Sequence, residues 1–176
     1  MAGKNDLPPP LPSDVLARVH RLARADGRML LVIAGVFAVI SAMGAQKIGA
    51  LTGCLAAGAG VLELHGASLL RQGNPRGMTW LVRSQLALLM VILGYVVARW
   101  LSFDAELMRS LITPDMLATF KAAGMGEEDI IPMVKVVYQF MYGAVALVSI
   151  GYQGGMALYY RRRTALVEQA LEETSL

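Results

Sequence analysis

The chain has 176 residues, 56% of them hydrophobic and 16% charged, with a mean hydropathy of +0.52. A soluble domain of this size carries about 25% charge, so the balance excludes an ordinary water-soluble domain. The net charge of +3 is too small to argue for a nucleic-acid partner, and Cys54, the only cysteine, excludes an intrachain disulfide.

Hydrophobic runs bounded by Arg and Lys predict an all-α polytopic membrane protein: a four-transmembrane-helix bundle with short interfacial helices. The expected organisation has three parts. Residues 1–28 form a cytoplasmic arm and amphipathic helix, 29–160 the membrane domain, and 161–176 a cytoplasmic helical tail.

In chain order, Pro8, Pro9, Pro10 and Pro12 favour an extended arm. Ser13 stands where an N-cap is expected. Leu16, Val19, Leu22 and Ala23 then recur at helical spacing among Arg18, Arg21 and Arg24. That is the pattern of a helix lying on the membrane surface, or of a cytosolic cap packed on the bundle. The first span covers 29–46, eighteen uncharged residues between Arg28 and Lys47. It reads as a span rather than a cleaved signal, because the leader before it is long and more spans follow.

The second span covers 48–70, after a tight turn. Ala45, Gly49, Gly53 and Ala57 make a ladder of small residues that permits close approach of another helix, in this chain or in a neighbouring subunit. Near the far end stand Glu63 and His65. A turn-forming, basic connection with Gly73, Asn74, Pro75 and Gly77 leads to the third span, 80–100, which has Trp80 and Trp100 at its ends.

The non-cytoplasmic connection, 101–135, shows two short helical patterns. One contains Leu107 and Leu111. The other starts at Thr113-Pro114 and is stopped by Gly124 and Gly126. They read as interfacial helices capping the bundle, or as a lid or cation-attracting mouth given Glu127, Glu128 and Asp129. The fourth span covers 136–160, with Gly143, Gly151 and Gly155 as a second close-packing face. The acidic tail beyond Arg163 is expected to extend this helix and answer the basic N-terminal helix by charge.

Eleven of the 16 Lys and Arg residues fall on the side of 1–28, 71–83 and 161–176. The excess of positive charge predicts both termini to be cytoplasmic.

No paired-cysteine or His-Glu-x-x-His metal site, phosphate loop or nucleophile elbow is present, and the sequence assigns no cofactor. A haem held by His65 and a methionine has only composition behind it. Chemistry is therefore sought at polar residues at membrane depth. Glu63 precedes Arg71 by eight residues, roughly 12 Å along a helix. A carboxylate there must be protonated, paired or facing water. His65, on a different side of the helix, is the expected modulator. Arg83 is a candidate counter-charge, and Gln85 and Tyr159 are candidate hydrogen-bonding partners.

Three classes of function follow. The first is an oligomeric channel or transporter for a cation or small solute, with Glu63 as its site. The second is an accessory subunit that packs against another membrane protein through its small-residue faces. The third is an enzyme acting on a lipid-like substrate. The partners implied are the lipid bilayer and either further copies of the chain or another membrane subunit.

Overall fold

The computed structural model describes residues 11–124 and 126–175; the proline-rich arm expected at Pro8 to Pro10 lies outside them. Among the described residues there are six helices and no strand. They are α1 (Pro12–Met43), α2 (Lys47–Arg71), α3 (Arg76–Leu101), α4 (Ala105–Leu111), α5 (Pro114–Ala122) and α6 (Glu127–Ser175). The protein is an all-α membrane protein, in which α1, α2, α3 and α6 are each long and apolar enough to cross a bilayer.

Two divisions expected from the sequence do not exist. The surface helix at 13–28 and the first span are one helix, α1. Its N-cap is Leu11, and Pro12 occupies the first turn, where a missing N–H is harmless; Ser13 makes no capping bond. Gly27 costs a helix about 1 kcal/mol relative to alanine but does not break it. It lies against α2, where a Cβ would stand 3.0 Å from Leu64 and 3.2 Å from the Gly60 carbonyl.

Likewise the end of the long connection and the fourth span are one helix, α6, which runs on into the tail as expected; its 49 residues extend about 73 Å. Pro132 lies in its second turn and forfeits a single bond to the carbonyl of Glu128. Beyond Tyr160 the helix continues through good helix formers and is held by packing, with Val167 and Ala170 buried. Val15, Val19 and Val167 share one apolar core, so apolar packing holds the tail against α1.

The turn between α1 and α2 is short. α1 ends at Met43 instead of 46, and Ala45 takes a φ of +54°, a conformation costing an L-residue roughly 1–2 kcal/mol. Ala45 is therefore a turn residue, not a rung of the helical ladder. In the connection after α3, Asp104 caps α4, its carboxylate accepting from the N–H groups of Glu106 and Leu107 at 3.0 and 3.1 Å. Thr113 caps α5, which Ala123 and Gly124, at φ +81°, then close.

Each long helix packs on the next, and α6 returns to α1, so the four form a closed ring. The small-residue ladder of α2 works inside the chain. A Cβ on Gly53 would lie 2.7 Å from Ala38 Cα, and one on Gly49 2.7 Å from Ser41 Oγ, so glycine is what lets α1 approach. Gly66 and Gly77 do the same for α2 and α3, where a Cβ on Gly77 would meet the Gly66 carbonyl at 2.6 Å.

The tight core lies at the end of the bundle shared by the start of α1 and the far part of α6, around Val15, Val19, Leu70, Leu81, Tyr160 and Val167. Toward the other end the helices present apolar side chains outward, such as Val32 and Val36 of α1, Leu51 of α2, Met90 of α3, and Phe140 and Val148 of α6. Phe140 is 78% exposed and Val148 71%. Each such side chain held in water forgoes about 1.5–3 kcal/mol, which contact with hydrocarbon restores. This belt is the surface of a lipid-embedded protein.

Candidate functional site

Where the outward apolar belt meets the tight core, all four long helices direct a polar side chain to one point. α2 supplies Glu63, with no exposed surface at all. α3 supplies Gln85, equally buried, whose Nε2 donates to Glu63 Oε1 at 2.9 Å and to Asp26 Oδ2 of α1 at 3.2 Å. α6 supplies Tyr160, whose buried hydroxyl donates to Glu63 Oε1 at 3.0 Å. A longer bond, 3.4 Å, runs from the exposed Tyr152 hydroxyl, also on α6, to Asp26 Oδ1.

The result is one hydrogen-bonded chain: Tyr160, Glu63, Gln85, Asp26, Tyr152. Its charge balance is uneven. Two carboxyl groups share a single amide nitrogen. Among the described residues neither has an arginine or lysine bonded to it. Glu63 Oε2 and Gln85 Oε1 are both buried and have no hydrogen-bond partner. Buried oxygens of this kind usually have a partner. A third, Oε1 of Gln153, lies seven residues before Tyr160 on the same face of α6.

Local sequence explains the convergence. Glu63 follows Ala59 and Gly60 on the buried face of α2, where small side chains bring α1 and α2 close. Asp26 stands beside Gly27 on the face of α1 that carries Val15, Val19 and Ala23. Gln85 continues the buried series Met78, Leu81 and Ser84 of α3.

Of the side chains singled out in the sequence, only Glu63 and Gln85 come together. His65 points outward and meets the Trp80 ring edge-on at 5.2 Å. Arg83 is not bonded to Glu63; its guanidinium lies over the Trp80 ring, 5.9 Å from the ring centre. Tyr159 lies next to the site but not in it, in edge contact with Tyr160 at 5.7 Å and under Arg163 at 5.8 Å. The helical period separates these residues: positions two apart on a helix diverge by about 200°.

Three members of the site, Asp26, Tyr152 and Tyr160, were not among the side chains singled out in the sequence. Asp26 had a legible signal, because it prolongs the Val15–Val19–Ala23 face at helical spacing. Tyr160 had one too, as the middle of Gln153, Tyr160 and Val167, seven residues apart. Interfacial arginines around each pointed to water instead.

The packing residues divide in the same way. Gly49 and Gly53 are buried against α1, and Ala57 is half-buried. On α6, its own turns aside, nothing among the described residues lies within 4 Å of where a Cβ would stand on Gly151 or Gly155, and Gly143 meets only Trp100, at 3.7 Å. The expected second packing face is open within one chain.

Among the described residues no group of three His, Cys, Asp or Glu side chains is arranged to hold a metal ion. Comparison with protein-family models, with curated proteins and with solved structures gives no match. The functional reading therefore rests on the geometry of the site.

Proposed function

We propose that this protein is a small multi-pass transport protein whose substrate or coupling ion is a proton or small cation held at Glu63 and Asp26. The observation that carries the reading is the Glu63 carboxyl, fully buried where four helices meet and without a cationic partner. Leaving an ionised side chain unpaired at the centre of a membrane helix costs about 2.5–3.5 kcal/mol even on the mildest scales. Two carboxyls bridged by one amide add mutual repulsion. A proton or a small oxygen-loving cation supplies the missing positive charge, and the unpartnered Glu63 Oε2 and Gln85 Oε1 are acceptors for it.

The excess of basic residues at the tightly packed end of the bundle supports an orientation with both termini in the cytoplasm, and so a site nearer the cytoplasmic side. Reconstituted vesicles test the proposal. Glu63→Gln and Asp26→Asn are expected to cut proton or alkali-cation flux at least tenfold while the mass of the detergent-solubilised assembly stays that of the wild type. Full flux of every tested cation in Glu63→Gln, with the assembly lost, removes the transport role.

A second reading, an accessory subunit of a membrane complex, is favoured by one observation: the open face of α6 at Gly151 and Gly155. It requires a different chain to copurify at fixed stoichiometry, whereas a transporter built from copies of this chain gives a homo-oligomeric mass.

A further inference from the structure

Two cavities adjoin at the base of the α1–α2 groove, on the outer side of α2 from the carboxyl site. The first, about 240 Å³, lies between Arg24 and Arg28 of α1 and Ser68 and Arg71 of α2. The second, about 500 Å³, has apolar walls from Leu16, Leu70 and Leu171. His20 and Arg71 line both.

The first cavity is cationic by construction. Arg24 and Arg28 are one helical turn apart and project to the same side. Arg71 meets them from the last turn of α2. All three are exposed, and among the described residues none has a carboxylate or other hydrogen-bond partner in the chain. The floor is fixed, because His20 Nδ1 donates to the Ala67 carbonyl at 3.1 Å and ties α1 to α2. The Ser68 hydroxyl accepts a long 3.5 Å bond from Gln72, which leaves its own proton free to donate.

Following the same two helix faces away from the arginines, the surface becomes apolar and outward-facing at Val32 and Val61. A triad of unpaired guanidiniums at the foot of an apolar track is complementary to an amphiphile with an anionic head. Arginine forks bind phosphate oxygens in pairs, and basic pockets between membrane helices suit lipid phosphates.

We propose that this groove binds the phosphate headgroup of an anionic phospholipid, held by Arg24, Arg28 and Arg71 with Ser68 donating to it. The acyl chains run along Val32 and Val61. The proposal does not depend on the transport reading, since Glu63 is buried on another face of α2.

The test uses the full chain in detergent, titrated with dioctanoyl phosphatidylglycerol, dioctanoyl phosphatidylcholine or inorganic phosphate, with thermal unfolding as the readout. Phosphatidylglycerol is expected to stabilise saturably, with little effect from the other two. Arg24→Gln, Arg28→Gln and Arg71→Gln should each weaken the apparent affinity roughly fivefold. Arg21→Gln, exposed on α1 but lining neither cavity, should leave it unchanged. Equal stabilisation by phosphatidylcholine overturns the headgroup assignment. Saturation by inorganic phosphate at the same affinity overturns the lipid source. Groove variants that bind as the wild type does overturn the site.

Discussion

Gln85 is the residue on which the buried site turns. Its single amide nitrogen serves two carboxyl groups on two different helices, at 2.9 and 3.2 Å. Tyr160 serves only one of them. A hydrogen bond to a charged group contributes about 1.5–3 kcal/mol and a neutral one about 0.5–1.5. Tyr160→Phe keeps the ring that fills the core and loses one donor. It is expected to lower the unfolding free energy by about 1–2 kcal/mol. Gln85→Leu, of similar size, strips a donor from both Glu63 and Asp26 and should cost more. Unfolding in mixed micelles measures both variants. A Gln85→Leu protein no less stable than Tyr160→Phe would show that the shared amide is not what holds the carboxyls together.

At the scale of the element, glycine separates the helices that must touch from the one left open. Gly53 and Gly77 face backbone atoms of a neighbouring helix, at 2.7 and 2.6 Å from where a Cβ would stand. Backbone cannot step aside as a flexible side chain can. Gly53→Ala and Gly77→Ala are therefore expected to lower stability by about 1–3 kcal/mol, the usual range for overpacking. Gly151→Ala on α6 meets nothing among the described residues and should be neutral or gain up to about 1 kcal/mol in helix propensity. Thermal unfolding in detergent ranks the three. If Gly151→Ala also destabilises, and only in the assembled form, another subunit covers that face.

For the whole molecule, the start of α1 and the far part of α6 lie in one core, so the two arms share an end of the bundle. The arginines around that end predict that it faces the cytoplasm. With Cys54 replaced by Ser, single cysteines at Ser13, Ser102 and Gln169, all exposed, report sidedness. A membrane-impermeant maleimide applied to intact cells is expected to label Ser102→Cys and to reach Ser13→Cys and Gln169→Cys only after permeabilisation. Labelling of Ser13→Cys from outside would reverse the orientation and put the carboxyl site and the arginine groove toward the outer surface.

The class of the protein was written in its composition. Four long apolar runs spaced by arginines leave no soluble alternative, because a bilayer demands about twenty apolar residues per crossing whatever the tertiary arrangement. The start of α5 was also local, since Thr113 and Pro114 act on backbone groups a few residues away. Glu63 was conspicuous because its cost in hydrocarbon depends on depth along its own helix. Its surroundings depend on rotation about that helix and on the placement of three others. A one-residue difference on α6 decides whether Tyr159 or Tyr160 reaches it. The continuity of α1 through Arg28 was likewise tertiary, whereas the run of α6 beyond Tyr160 was already expected from its helix-compatible tail. Charged residues end a membrane span but not a helix, and these helices continue because Val15, Val19 and Val167 have one another to pack against. That same continuation carries Asp26 to within reach of Gln85, a meeting across 59 residues of sequence that only the folded bundle brings about.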